Sequence, residues 1–436
     1  MKGINVTLAA AAATLLLSST AFAFHAGGVA ECEGCHTMHN SLDGAPMTTK
    51  FAQFQTGPYL LKGSDQSSAC LNCHEHAGDT GPSSYHISTA EADMPAGTAP
   101  LQRSPGGDFG FLKKLYTWVM RGEPGQSVGD RHGHNIVAAD YNYNADASLT
   151  TAPGGTYPAA NLACSSCHDP HGTYRRDATG TIAQTGLPIT ASGSTGTAPI
   201  EGKTAVGAYR ILAGTNYQPK SLTGSFGFAN TVPAAVSPSS YNRSEATTQT
   251  RVAYGQGMSE WCANCHSSIL RSSFTSGMAG LTHPAGNGAK LGATIAANYN
   301  KYVKSGDLTN TDSTKSYNSL VPFEEGTADY AVLKAHAKSD DTYLNGPDAN
   351  SNVNCLSCHR AHASGFDSMT RYGALEGGEY FTVADATGNA IFSADLNDKS
   401  ALGRTVAEQS AALYDRPATA FAPYQRALCN KCHAKD

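Results

Sequence analysis

The segment Cys32-Glu-Gly-Cys35-His36-Thr-Met-His39 determines the fold, because its first five residues follow a pattern that occurs six times in the chain. The pattern is Cys-x-x-Cys-His, which is typical of covalent attachment of a c-type haem. Its two thiols form thioethers with one edge of the porphyrin, and the next histidine binds the iron. The sequence therefore predicts six covalently bound haems c. The six copies use all twelve cysteines, which are Cys32 and Cys35, Cys70 and Cys73, Cys164 and Cys167, Cys262 and Cys265, Cys355 and Cys358, and Cys429 and Cys432; the proximal histidines are His36, His74, His168, His266, His359 and His433.

Two other uses of paired cysteines fit less well. Two Cys-x-x-Cys pairs can form a zinc ribbon, and a single pair can act as a redox dithiol. Neither use requires a histidine directly after every pair, and only 16 of the 436 residues are histidine. The repeated histidine favours haem.

Residues 1–23 read as a secretory signal peptide. Lys2 supplies the positive start, residues 6–17 form an apolar run, and Ala21-Phe22-Ala23 is a cleavage site of the small-x-small type. No other stretch approaches the roughly 18 apolar residues of a membrane span. The mature protein, residues 24–436, is therefore predicted to be a single secreted domain. A formal charge of −5 and the lack of a Lys/Arg run argue against nucleic acid as a partner.

The composition has few apolar residues for the hydrophobic core of a chain of this length. Only 40% of residues are hydrophobic and the mean hydropathy is −0.31, while 45 glycines and 20 prolines favour turns. The predicted fold class is a multihaem cytochrome c, mostly irregular chain with a few short helices wrapped around a column of six haems. Helices are expected over 108–121, over the apolar stripe 291–302, and from the capping box Thr405-x-x-Glu408 through Tyr414.

Ten histidines remain after the six of the motifs, enough to close every iron with a second imidazole. Three of them follow a proximal histidine by three residues: His39, His171 and His362. An imidazole one turn from the proximal histidine is expected to emerge on the same side of the ring. It could not close its own haem, and it would serve a second haem stacked close by.

The other distal ligands are predicted from their position before a motif or a helix. They are His134, His283 and His336, with His25 as the first reserve. His132 could replace His134, and His76 and His86 are further alternatives.

The mature chain resembles the outer-surface hexahaem cytochromes of metal-reducing bacteria, the OmcS type. The resemblance is carried by Phe24-His25 with Gly27-Gly28-Val29-Ala30-Glu31-Cys32, by Ser165-Ser166-Cys167-His168-Asp169-Pro170-His171, by Trp261-Cys262-Ala263-Asn264-Cys265-His266, by Asn354-Cys355-Leu356-Ser357-Cys358-His359-Arg360-Ala361-His362, and by Arg426-Ala427-Leu428-Cys429-Asn430-Lys431-Cys432-His433. It implies six bis-histidine haems in a continuous chain, little regular secondary structure, and an extracellular filament. In that family the residue matching His39 ligates a haem of the adjacent subunit, head to tail.

The resemblance implies an electron carrier that exchanges electrons with other extracytoplasmic cytochromes and with metal oxides or electrodes at the cell surface. The alternative is a multihaem reductase, which needs one iron with an open face and often an altered motif. All six motifs here end in histidine, which favours the carrier. A haem-bearing structural fibre would differ little in sequence, and conductivity of purified assemblies would distinguish it.

Overall fold

The computed structural model describes residues 32–38, 41–42, 45–46, 60–81, 86–120, 122–171, 175–176, 182–183, 211–222, 226–236, 251–270, 284–301, 312–338, 340–371, 402–415 and 430–433. The predicted signal peptide lies outside these residues, as do His25, His39, His283 and Cys429.

Short helices separated by irregular chain make up most of the described structure, as predicted. No described α-helix exceeds nine residues. In chain order the helices are α1 Cys32–Cys35, α2 Gln66–His74, α3 Cys164–Cys167, α4 Met258–Cys262, α5 Gly292–Asn300, α6 Tyr330–His336, α7 Cys355–Cys358, α8 Val406–Ala412 and α9 Asn430–His433. Five of the nine contain a cysteine pair or the larger part of a motif, so the helices are placed where the motifs need them.

The described strands form only two-stranded sheets. Four pairs are antiparallel: β1 Ser41–Leu42 with β2 Ala45–Pro46, β5 Tyr116–Met120 with β6 Glu123–Ser127, β7 Arg175–Arg176 with β8 Ile182–Ala183, and β9 Ala234–Val236 with β10 Ala253–Gln256. The fifth pair, β3 Glu75–His76 with β4 Ser88–Thr89, is parallel. Sheets of this size cannot supply a core by themselves.

The helix predicted over 108–121 is wrong after its first turn. A 3₁₀ helix spans Phe109–Lys113, and the chain then enters the hairpin of β5 and β6. Trp118 lies opposite Gly125, where a β-carbon would sit within 2.4 Å of the indole ring, so the glycine makes room for the tryptophan. Gly122 has φ +86° and forms the turn. The β-branched and aromatic residues of this stretch favour the strand over the helix that their spacing suggested.

Two other helix predictions are confirmed. Helix α8 begins at the predicted capping box, in which the Thr405 side chain accepts from the Glu408 amide and the Glu408 carboxylate accepts from the Thr405 amide. Helix α5 occupies the first part of the predicted apolar stripe and buries Ala296 and Tyr299. The remainder of that stripe, from residue 302, lies outside the described residues.

Several apolar clusters among the described residues pack against motif cysteines. One cluster contains Leu71, Phe109 and Ile136, with Cys164 packed against it. A second, built on Met258, packs against Cys167, Cys262 and neighbouring side chains. The largest surrounds Tyr299 and packs against Cys432. The apolar groups therefore surround the attachment points, as expected if a prosthetic group completes the core.

No helix in the described part of the chain is both long enough and apolar enough to cross a membrane.

Candidate haem sites

The first, third and fifth motifs share one local structure. In each, a single helical turn, α1, α3 or α7, spans the two cysteines. Residues three apart on a helix lie on the same side, so in the third and fifth motifs both thiols face one direction, as thioether bonds to one porphyrin edge require. The histidine after each turn pairs in an antiparallel bridge with a distant segment: His36 with Leu61, His168 with Leu212, and His359 with Thr370.

The same-side argument for His171 and His362 assumed that the helix continues past the motif histidine, and the structure shows that it does not. Helices α3 and α7 end at the motif histidine, which has extended backbone angles of φ −103°, ψ 135° at His168 and φ −113°, ψ 155° at His359. In the third motif Pro170 disfavours helical geometry in the residue before it. The later histidine is therefore carried away from its own motif by extended chain.

The second and fourth motifs share a feature: a serine before each of them binds the backbone of the motif that follows. The Ser67 side chain, three residues before Cys70, accepts from the amide of Cys164 at 3.1 Å. The Ser259 side chain, three residues before Cys262, accepts from the amide of Cys355 at 3.2 Å. A serine in helix α2 or α4 thus caps the start of the helix that carries the next motif.

The cysteines of these neighbouring motifs also touch. The side chain of Cys70 lies against that of Cys164, and the side chain of Cys262 lies against that of Cys355. The second motif is therefore adjacent to the third, and the fourth is adjacent to the fifth. This pairing was not predicted from the sequence, although the serine three residues before Cys70 and before Cys262 is a signal for it.

Three pairs of imidazoles each join a motif histidine to a predicted distal histidine. The ring centres of His36 and His171 are 6.4 Å apart, and those of His168 and His362 are 6.3 Å apart. The third pair is His266 and His134, with centres 6.1 Å apart. In the first two pairs the second histidine comes from another motif, and in the third it comes from the loop before the third motif.

These separations match the axial ligands of a single metal ion. An imidazole nitrogen binds a transition metal at about 2 Å, and the ring centre lies roughly 1 Å further away. Two imidazoles on opposite sides of one metal therefore have centres about 6 Å apart. The paired thiols, the opposed imidazoles and the apolar clusters around the cysteines all fit a haem c.

Backbone carbonyls fix the tautomer of three predicted iron ligands, two motif histidines and one distal histidine. Nδ1 of His134 donates to the Ala361 carbonyl at 2.7 Å, Nδ1 of His266 to the Pro153 carbonyl at 2.8 Å, and Nδ1 of His359 to the Ser368 carbonyl at 2.8 Å. A carbonyl can only accept, so the proton is on Nδ1 and the Nε2 lone pair is available to a metal.

Burial keeps two predicted distal imidazoles neutral at physiological pH. It lowers the pKa of His134 to about 4 and that of His362 to about 3. Nearby histidines, His266 for the first and His168 for the second, add to the lowering. A neutral ring is the form that can bind a metal.

The alternative His132 is engaged at both ring nitrogens. Nδ1 is 2.8 Å from the Phe111 carbonyl and Nε2 is 2.7 Å from the Ser127 hydroxyl, inside a fully buried site. His134, in contrast, leaves Nε2 uncommitted among its described contacts and lies opposite His266.

Two further alternatives, His76 and His86, lie opposite each other with ring centres 6.0 Å apart, but neither belongs to a motif. His336 stacks on Tyr343 with ring centres 4.2 Å apart, and no described ring contact pairs it with a motif histidine.

The sixth motif is described only from Asn430, in helix α9. Its Lys431 side chain is fully buried, with Nζ 4.5 Å from the centre of the Tyr299 ring and 2.9 Å from the Ser316 carbonyl. Burial lowers the Lys431 pKa well below its usual value. Together with the packing of Cys432, these contacts fix the last motif to the cluster around Tyr299.

Comparison with known proteins gives the same class of site. No family model matches the chain. The C-type cytochrome OmcS of Geobacter sulfurreducens is 69% identical over 437 residues, which cover 100% of both chains. A cryo-EM structure of the OmcS nanowires from that organism superposes with a TM-score of 0.86, at 69% identity over 94% of this chain and 100% of the other. A structure of the outer membrane cytochrome S filament gives a TM-score of 0.85 at 70% identity, with the same coverage.

The fold and the repeated site thus define a c-type cytochrome, an electron carrier with covalently bound haem c. Identity of this extent over the whole length settles the family. The chain belongs to the OmcS family of c-type cytochromes.

Proposed function

We propose that the mature chain, residues 24–436, is a single domain with six haems c, each iron held between two histidines. It polymerises head to tail into an extracellular filament that carries respiratory electrons to external acceptors such as metal oxides. The observation that carries this proposal is the set of three opposed imidazole pairs at 6.1–6.4 Å. The six motifs and the filament structures of the relatives support the count and the assembly.

In the proposed haem column, the odd-numbered motifs connect one haem site to the next. The third motif supplies His171 to the site of the first, and the fifth supplies His362 to the site of the third. Each shared ligand ties two attachment sites together through a loop of only two residues between the proximal and the distal histidine. Bound haem accepts and releases one electron at its iron. The chain holds neighbouring haem sites close together, keeps their imidazole ligands uncharged, and excludes water from the sites.

His39 holds the corresponding place in the first motif. That motif has the same one-turn helix, Cys32–Cys35, and the same bridged histidine as the third and fifth motifs. The adjacent Met38 is 81% exposed, so the described chain is at the surface where it leaves this motif. His39 therefore ligates a haem of the next subunit and continues the pattern across the contact. Such a head-to-tail contact generates an open filament unless its rotation closes a ring.

The remaining ligands are proposed from the sequence. His134 serves the fourth haem, and His283 and His336 complete two others, with His25 in reserve and His76 and His86 as alternatives. Residues 1–23 direct export across the cytoplasmic membrane, and the outer membrane cytochrome filament among the relatives supports a position at the outer surface, where other extracytoplasmic cytochromes supply its electrons. No nucleic-acid partner is expected from its acidic net charge of −5.

The haem count is tested by intact mass of the purified, denatured protein. Because the motifs use all twelve cysteines, the mass should exceed that of the polypeptide from Phe24 by six haem masses. A Cys-to-Ser change at both cysteines of one motif should remove one haem mass. Five or fewer haems with a free cysteine pair in the unaltered protein would contradict the count.

The carrier is distinguished from a reductase by the spin state of its irons. With two imidazoles on each iron, all six haems should be low-spin, and the reduced native protein should not bind carbon monoxide. The resonance spectrum and the carbon monoxide titration measure these properties directly. Stoichiometric binding by one haem would reveal an open site and favour the reductase.

A further inference from the structure

His336 belongs to a chain of three charged or polar groups at the end of helix α6. The Glu325 carboxylate is 2.6 Å from His336 Nδ1 through one oxygen. Its other oxygen accepts from the Arg251 guanidinium at 2.8 Å. Because an ionised carboxylate can only accept, the proton between Glu325 and His336 lies on Nδ1, which leaves the Nε2 lone pair for the iron.

Arg251 is rigidly placed behind this carboxylate. Its side chain is 2% exposed, and the guanidinium carbon lies 4.5 Å from the centre of the Tyr317 ring and 4.8 Å from that of Tyr343. Tyr343 in turn stacks on the imidazole of His336. Reciprocal backbone hydrogen bonds between Arg251 and Lys338, at 2.7 and 3.1 Å, tie the arginine to the chain just after His336.

The acceptor for His336 differs chemically from those of the other proposed ligands with described Nδ1 contacts. His134, His266 and His359 donate to neutral backbone carbonyls. A carboxylate acceptor draws the Nδ1 proton more strongly, makes Nε2 a stronger donor to the metal, and stabilises the ferric over the ferrous state.

We propose that Glu325, held by Arg251, is a positioning residue that fixes the His336 tautomer and lowers the reduction potential of the haem that His336 ligates. The inference rests on the proposed role of His336 as a distal ligand. The iron takes up one electron on reduction, and the Nδ1 proton stays on the imidazole throughout. The haem that His336 ligates is therefore expected to have a lower potential than the haems whose ligands His134, His266 and His359 donate to backbone carbonyls.

The test is a spectroelectrochemical titration of the haem-loaded Glu325→Gln protein. Glutamine keeps a hydrogen-bond acceptor but removes the negative charge, so one haem should become easier to reduce. The expected change is about tenfold in its reduced-to-oxidised ratio, or about 59 mV for a one-electron couple. All six haems should remain low-spin. Glu123→Gln, the same change at an exposed residue of β6, should shift none of them.

Two further variants keep the test decisive. Glu325→Asp keeps the negative charge beside Arg251 but moves it away from His336, so the reduction potential of one haem should rise by less than in Glu325→Gln. This variant also covers the case in which Glu325→Gln does not fold. His336→Ala should leave one haem high-spin. If His336→Ala leaves every haem low-spin, the ligand assignment fails. If it opens one haem while neither Glu325 variant moves a potential, the role of Glu325 alone is refuted.

Discussion

His39→Ala is expected to convert long filaments of the haem-loaded protein into monomers and short oligomers. The substitution removes the one coordinate bond proposed to cross the subunit contact, and with it the bond that fixes the register of the contact. Each 1.4 kcal/mol lost lowers the association constant of the contact tenfold, and mean filament length falls roughly as the square root of that constant, so losing this bond should shorten the filaments by about threefold or more. Each subunit should retain six haems, one of them now five-coordinate or water-ligated. Negative-stain microscopy and the spin state of the same sample measure both effects.

Met38→Ala is the matched control for this experiment. Met38 is the exposed neighbour of His39 and offers no nitrogen ligand, so its removal changes the same surface without changing the iron. Filaments of this control should be long and fully low-spin. Long, fully low-spin filaments from His39→Ala would disprove the ligand across the contact, and His25 would then be tested in the same way.

His362→Ala is expected to open the haem of the third motif. His362 lies opposite His168 at 6.3 Å, and alanine provides no nitrogen, so one haem in six should become high-spin and bind carbon monoxide. The haem of the fifth motif should also change its potential, because the loop that carries His362 joins the two sites. His171→Ala should give the same result for the haems of the first and third motifs. Added imidazole should restore the low-spin spectrum by occupying the vacated position.

The control for His362→Ala changes the packing of the ring without removing its nitrogen. Phe109 packs on the His362 imidazole, with ring centres 4.8 Å apart. Phe109→Leu should therefore leave every haem low-spin. If only one haem changed its spectrum and potential in His362→Ala, the two sites would not be joined through a shared ligand. An entirely unchanged spectrum would remove His362 from the ligand set.

The motifs made much of this protein predictable from sequence. Covalent attachment needs two cysteines and a histidine at fixed spacing, so the sequence alone predicts six sites. The capping box at Thr405 is equally local, because both of its hydrogen bonds join residues three apart. The irregular fold follows from a composition rich in glycine and proline and poor in apolar residues.

Other features depend on which residues pair in the folded chain. The apolar spacing over 108–121 suited a helix, but the pairing of β5 with β6 and the contact of Trp118 with Gly125 decided for a strand. The end of helix α7 at His359 depends on its bridge to Thr370. The sequence favoured His134 and left His132 as an alternative, and the hydrogen bonds that fill both nitrogens of His132 support His134. None of these partners is adjacent in sequence.

A cryo-EM reconstruction of filaments of the purified, haem-loaded protein tests the proposed conduit most directly. It should show six haems in each subunit, with His36 and His171, His168 and His362, and His266 and His134 as axial pairs. It should also show the imidazole of His39 bound to a haem iron of the next subunit, so that the column continues through the contact. A gap in the haem column at the contact, or His39 bound to an iron of its own subunit, would contradict this structure of the filament.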